Sequence, residues 1–314
     1  MPAISASAPG KIILFGEHAV VYNRPAIAVP LTQVKAKAII RANPLGERDA
    51  VEIQAPNIGL EAYLSDLSDT DPLAAAVNKL TSLLGVRYIP ACTIRITSSI
   101  PVSSGLGSGT AVTVALIRAL SAFLGHPLPN KQVCELTYEV EILHHGTPSG
   151  IDNTVVTYAM PIFYKRGDAI ETFSVRKPFT IVIGDTGIRY PTSITVGDVR
   201  KAWQTSPTGY ENTFDAIGDI ASAARDAIER GDLKTLGALM NSNHEYLQKL
   251  GVSSPELDHL VNAARDAGAL GAKLSGGGRG GNMIAMVAPG EAHSLAKILI
   301  KEGASRSITT EVKS

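Results

Sequence analysis

Alternation and helical spacing divide the chain into elements before any chemistry is considered. Residues 34–42 alternate apolar and polar as a half-buried strand does. Residues 92–100 repeat that pattern, with Ile94, Ile96 and Ser98 on one face and Thr93, Arg95 and Thr97 on the other. Two short apolar runs, 4–8 and 11–15, read as strands broken by Pro9-Gly10. Residues 72–84 change to helical spacing, with Leu73, Ala76, Val77 and Leu80 on one stripe. Further helices are expected over 111–124, 131–144, 212–230, 233–249, 254–268 and 290–303, and strands over 179–184 and 283–288. The first part thus mixes strands and helices, and the later part is helix-rich. A polar stretch at 174–178 precedes a new apolar strand, which places a domain boundary near residues 175–180. Domains 1–177 and 178–314 are the expected division.

Composition narrows the function classes. The chain has 314 residues, 45% hydrophobic and 18% charged, with 29 basic and 29 acidic side chains. That balance argues against a nucleic-acid binder, which shows a basic stripe. The N-terminus lacks a basic region followed by an apolar stretch, so no secretory signal is expected. No uncharged apolar run reaches the roughly 18 residues of a membrane span. Cys92 and Cys134 stand outside any CxxC or Cys/His cluster and read as thiols in a reducing, cytoplasmic setting.

Glycine carries more information. It clusters at 103–109 (SSGLGSG), 146–150 (GTPSG) and 276–281 (GGGRGG), which suggests several loops converging on one ligand. The stretch 101–110 lies between a predicted strand and a predicted helix. A glycine-rich turn into a helix start presents unpaired N–H groups and the positive end of the helix dipole to an anion such as phosphate. No Lys-Ser/Thr follows its last glycine, so it is not a Walker A loop, and the dinucleotide register is absent. Phosphoryl transfer to an alcohol benefits from two carboxylates, and Glu141, near a helix end, and Asp152, past a Gly/Pro loop, could serve. One accepts the hydroxyl proton and the other holds Mg²⁺. Read singly, Glu141 fits a solvated helix face and Asp152 a cap better than a catalytic role. Lys11 opens an apolar strand, where a lysine suits a polar cleft, and Glu17 and His18 follow that strand. Arg279, within the third cluster, is a cation suited to a phosphate chain. His144 and His145 are adjacent and lack further ligands at metal spacing, so no zinc site is expected. Trp203, the one tryptophan, reads as packing.

Taken in order, APGKIILFGEH (8–18), PVSSGLGSGTA (101–111) and KLSGGGRGGN (273–282) resemble the three motifs of the GHMP kinase superfamily. Within it, KIILFGEHAVVY (11–22), HGTPSGIDN (145–153) and MNSNHEYLQKLGV (240–252) look most like the mevalonate-phosphorylating branch. The resemblance implies an α+β fold of two domains, an N-terminal mixed α/β domain and a helix-rich, ferredoxin-like C-terminal domain, with the active site between them. It implies a small-molecule kinase using ATP and Mg²⁺ on the 5-hydroxyl of mevalonate, with phosphomevalonate or another small hydroxy acid as a sibling acceptor. A homodimer is compatible with it, and a silent nucleotide-binding sensor is the reading from another class.

By position, Asp152 matches the family's catalytic base and Lys11 the lysine at that aspartate and the reacting hydroxyl. Glu141 matches the Mg²⁺-binding glutamate, with Ser108 as a second metal candidate. Glu17, His18 and Thr192 match substrate-pocket residues. The ATP-binding stretch is then Pro101, Ser103, Ser104, Gly105, Leu106, Gly107, Ser108, Gly109 and Thr110, and the third-motif loop is Gly276, Gly277, Gly278 and Arg279. Two positions depart from the family pattern. Gly109 stands where a Mg²⁺-binding serine is usual, which leaves Ser108, Thr110 or water for that role. Arg279 stands where glycine or alanine is usual.

Overall fold

The computed structural model describes residues 3–101, 104–145 and 148–313, with the side chains of His144 and His145 outside that description. The chain forms two compact units that interleave along the sequence. Met1–Gly10, Val34–Val102 and Leu106–Ala159 make the first, and Lys11–Gln33, Ser103–Gly105 and Met160–Ser314 the second. The expected cut near 175–180 divides the motifs, whereas the compact units part at 159/160 and exchange the segment 11–33. The cause lies in two long strands, β1 (Ile4–Phe15) and β2 (Ala26–Ala42), each of which contributes residues to both units. Pro9-Gly10 does not break β1 as expected. β1 pairs with β2 alone, and a proline is tolerated on a strand whose other edge needs no ladder bonds.

In the first unit, β3 (Val51–Ala55) pairs antiparallel with β4 (Leu60–Tyr63). Helix α1 (Pro72–Leu84) begins where the sequence says it should. Asp71 accepts from the N–H groups of Leu73 and Ala74, Pro72 fills the first turn, and Gly85 ends the helix in the left-handed region. β5 (Cys92–Ser98) pairs parallel with β3 and antiparallel with β2, aligning Ala36 with Ser98 and Ala42 with Cys92. Helices α2 (Ser108–Phe123), α3 (Asn130–His145) and α4 (Ile151–Tyr158) then pack on one another. α2 is buried on most sides (Ala111, Val114, Ala115, Leu116, Ile117, Ala119 and Leu120), so its position is set by packing all round.

In the second unit, β6 (Ile162–Tyr164) pairs with the start of β2 and with β7 (Glu171–Thr172). β8 (Phe179–Asp185) leads into four helices, α5 (Thr192–Thr205), α6 (Pro207–Arg230), α7 (Leu233–Lys249) and α8 (Pro255–Asp266). β9 (Gly271–Ser275), β10 (Asn282–Val287), α9 (Ala292–Lys301) and β11 (Arg306–Val312) complete it. The sheet is antiparallel in the order β11-β8-β10-β9. β10 is buried along its full length, so both faces of the sheet centre are covered, with α7, α8 and α9 among the packing elements. The turn after β1 is pinned by aromatic contacts. Tyr22 stacks on Phe214 with centroids 4.1 Å apart and meets Trp203 at 5.3 Å, and Trp203 Nε1 donates to Glu211. Trp203 therefore packs, as expected. Cys92 and Cys134 are free thiols. No helix among the described residues is long and apolar enough to cross a membrane.

Candidate active site

The first unit carries the loop that enters α2. Gly107 caps that helix in a left-handed conformation, and its carbonyl accepts from the Ala111 N–H at 2.9 Å. Leu106, 2% exposed, anchors the loop in the core. The N–H groups of the first helical turn, Ser108, Gly109 and Thr110, have no partner within the helix and face beyond its start, the arrangement that suits a phosphate. Ser108 is half-buried, Gly109 is exposed, and Pro101 precedes the loop half-buried. A side chain at Gly109 would meet no atom within 4 Å, so steric crowding does not demand the glycine. Ser103 lies outside the described residues, as do Gly146 and Thr147 of the second cluster.

Thr110 is buried, and its Oγ1 donates to Glu141 Oε1 at 2.7 Å across the α2–α3 contact. Sequence reasoning placed Thr110 among the phosphate-loop residues and missed this bond, because 31 residues separate the partners. Glu141 and Thr110 are thus brought together, one residue beyond the position where the expected loop serine is replaced by Gly109. Asp152 lies in the first turn of α4, two residues after the left-handed Gly150, where a negative side chain complements the helix dipole. α4 packs on both α2 and α3.

The second unit carries the other motifs. Lys11 is buried in β1. Glu17 and His18, expected to line a substrate pocket, are both buried. Glu17 Oε1 accepts a very short hydrogen bond from Lys273 Nζ, and both side chains are almost wholly buried. Lys273 Nζ also donates to Leu274 O at 2.7 Å. Burial pushes the Glu17 carboxyl up and the Lys273 ammonium down, and their mutual attraction opposes both shifts. The pair joins the first motif to the third. His18 adds a second tie, with Nε2 lying 3.1 Å from Gly277 O. A carbonyl only accepts, so His18 carries its proton on Nε2.

The third-motif loop is built around close approaches. A Cβ on Gly277 would stand 2.5 Å from Thr192 Oγ1, and one on Gly278 would stand 1.9 Å from Val252 O. A side chain at Gly278 would have to move the Val252 backbone, and one at Gly277 would have to displace the Thr192 side chain. Thr192 opens α5 and is exposed. Arg279 holds φ +56° in the same loop. The loop strand continues into Asn282, whose Nδ2 donates to Ser104 O at 2.6 Å and so fastens the glycine-rich phosphate loop to β10. Asn282 closes the third motif in the sequence, which was its one visible signal.

Residues 72–160 match the family pattern of the GHMP kinases N terminal domain, and residues 224–305 that of the GHMP kinases C terminal domain. The Pyrococcus horikoshii mevalonate kinase is 37% identical over 98% of this chain and 95% of its own. The chain belongs to the GHMP kinases. Among solved structures, the L. major mevalonate kinase in complex with R-mevalonate aligns at TM-score 0.85 and 32% identity, covering 98% of this chain and 95% of that one. The Methanococcus jannaschii mevalonate kinase aligns at TM-score 0.86 and 25% identity, covering 100% and 99%. This GHMP kinase is therefore a small-molecule kinase of two α+β domains, related most visibly to mevalonate kinases.

Two buried histidines of this GHMP kinase are expected to make its folded state sensitive to acid. His18 and His244 are held neutral, each with its pKa lowered to about 4, and burial is the largest cause for both. His244 Nδ1 accepts from the Leu274 N–H at 3.2 Å, and its Nε2 lies 3.1 Å from Asp258 Oδ1, off the direction of a good hydrogen bond. Unfolded, both rings take up protons near pH ~6.5, so the unfolded chain binds more protons than the native one below that value. Stability is expected to fall as pH drops from about 6.5 toward 4, by up to about 3 kcal/mol per ring. Urea midpoints across that range check this, and a flat profile contradicts it.

Proposed function

We propose that this kinase transfers the γ-phosphoryl group of ATP to the 5-hydroxyl of mevalonate, giving 5-phosphomevalonate and ADP. The observation that carries the reading is identity of 37% to a mevalonate kinase along essentially the whole chain, with the three motifs in place. Asp152 accepts the hydroxyl proton as the oxygen attacks phosphorus. Lys11 is assigned to the same hydroxyl, where its charge offsets the developing anion. The N–H groups at the start of α2 and the loop of Gly105, Leu106, Gly107 and Ser108 cradle the phosphates. Such a transfer asks little covalent chemistry of the protein, so positioning and electrostatics supply most of the rate.

The residues also fit a Mg²⁺ ion. Glu141 and Ser108 offer hard oxygen donors, and Mg²⁺ is ordinarily held by one or two carboxylates together with substrate phosphates and water. When bound, Mg²⁺ neutralises phosphate charge. Thr110 donates to Glu141 and contributes to its orientation. Removing a hydrogen bond to a charged group costs about 1.5–3 kcal/mol. Thr110→Val is therefore expected to lower kcat/KM for Mg-ATP by at least about tenfold, and Thr110→Ser to retain most of it. Equal activity of the valine variant contradicts the assignment. The two free thiols suit a reducing compartment, and we place the reaction in the cytosol.

ADP release with Mg-ATP, measured in parallel on mevalonate, phosphomevalonate, galactose and homoserine, tests the acceptor. Turnover on mevalonate alone is expected. Turnover on phosphomevalonate alone moves the protein to the sibling reaction, and ATP binding without turnover on any acceptor favours the sensor reading.

A further inference from the structure

An acceptor with one carboxylate needs a hydrogen-bonding cation or an N–H cluster, and the second unit offers few candidates around its third-motif loop. Lys273 is sealed in the interior with Glu17. His18 is neutral at ordinary pH, because burial holds its pKa at about 4 and the charges of Arg279 and Lys273 press the same way. Lys11 is assigned to the reacting hydroxyl. Arg189 nearby lies 3.8 Å from Asp185, and the setting of Arg279 is that of a held but incompletely used fork. Its own N–H donates to Val252 O at 2.8 Å, which locks the left-handed backbone. Nη1 donates to Asp198 Oδ2 at 2.6 Å and to Tyr190 OH at 3.2 Å, and the guanidinium lies 5.5 Å from the Tyr190 ring centroid. Nε points toward Gly251 O at 3.5 Å. Nη2 has no protein acceptor among the described residues, and the side chain is 28% exposed.

We propose that Arg279 recognises the carboxylate of the acceptor, donating from its Nη2 edge while Asp198 and Tyr190 hold the guanidinium in place. The inference rests on the mevalonate reading above and names the group that makes the acceptor a hydroxy acid rather than a plain alcohol. Position supports it. Arg279 lies two residues past Gly277, whose carbonyl takes His18 and whose α-carbon abuts Thr192, the two side chains that motif likeness assigns to the acceptor. Chemistry supports it as well. A planar guanidinium matches a carboxylate better than an ammonium does, and a fork fixed beforehand loses less entropy when the anion arrives. Asp198 cancels much of the charge, so recognition depends on the directed donors and not on a bare positive field.

The test compares mevalonate with 3-methylpentane-1,3,5-triol, the same skeleton with its carboxylate replaced by a hydroxymethyl group. The wild-type enzyme is expected to prefer mevalonate in kcat/KM by at least about tenfold, the worth of a charged hydrogen bond. Arg279→Gln should raise KM for mevalonate by a similar factor, leave KM for ATP unchanged and bring the preference near one. Arg279→Lys should restore part of it. Asp198→Asn, a milder change that keeps Arg279 but frees its charge and loosens its fork, should shift the preference for mevalonate over the triol a few-fold without affecting KM for ATP, and it stands in if the Arg279 variants fold poorly. An Arg279→Gln enzyme that loses activity equally on both acceptors, or keeps its KM for mevalonate, overturns the inference and leaves the kinase assignment standing. A wild-type enzyme inert toward mevalonate overturns the reaction assignment and this inference together.

Discussion

Asp152→Asn is expected to lower kcat by about 10²–10⁴-fold, the usual contribution of a positioned general base. The substitution preserves shape and hydrogen-bonding capacity in the first turn of α4, so the helix and its packing on α2 and α3 are retained. On the proposed assignment, what it removes is the proton acceptor. On the same assignment the nucleotide is held elsewhere, by the loop entering α2 and by Glu141, which accepts from Thr110. KM for ATP should therefore stay within a few-fold while kcat collapses, the pattern of an interaction made only in the transition state. Steady-state kinetics on both substrates decide the matter. An asparagine enzyme with near-normal turnover removes Asp152 from the chemistry and leaves the reaction without an assigned base.

Glu17→Leu is expected to cost about 3–5 kcal/mol of folding stability, because it leaves the Lys273 ammonium buried without its counter-ion. Most domains of ordinary size hold only about 5–15 kcal/mol in total, so the single variant should be strongly destabilised. The double variant Glu17→Leu with Lys273→Met removes both charges and should recover much of the loss, since a buried pair often contributes little beyond what apolar replacements give. Urea denaturation of the four proteins in the cycle measures the coupling. A single variant within about 1 kcal/mol of the parent contradicts a dehydrated pair. The functional consequence is separate. Glu17 on Lys273 and His18 on Gly277 tie the first motif to the third-motif loop, beside Thr192 and Arg279.

Elements whose signals are local were legible in the sequence. The helix at Pro72–Leu84 appears within the expected bounds because its cap, proline and terminal glycine all lie next to its apolar stripe. The strand at Phe179–Asp185 was visible as an apolar run. Strands at Gly271–Ser275 and Arg306–Val312 were not, for opposite reasons. In the first a lysine interrupts the apolar pattern and glycines follow at once, and in the second polar residues dominate because the strand lies at the sheet edge. Helix Ile151–Tyr158 was hidden by its shortness and its Gly/Pro surroundings.

The candidate site divides in the same way. Its motifs could be read because glycine loops and their neighbouring charges are contiguous. Their partners could not, since Glu17 meets Lys273 across 256 residues and Arg279 meets Asp198 across 81. A buried charge in a fully buried strand, as at Lys273, is the one sign that could have raised the question.

The central claim is that phosphorus moves to one particular oxygen. Phosphorus NMR of the product from mevalonate and Mg-ATP tests it most directly. The account predicts one phosphomonoester resonance coupled to the methylene protons of carbon 5, growing in step with ADP. ADP appearing with inorganic phosphate alone, or a phosphoester coupled to no methylene, would contradict it.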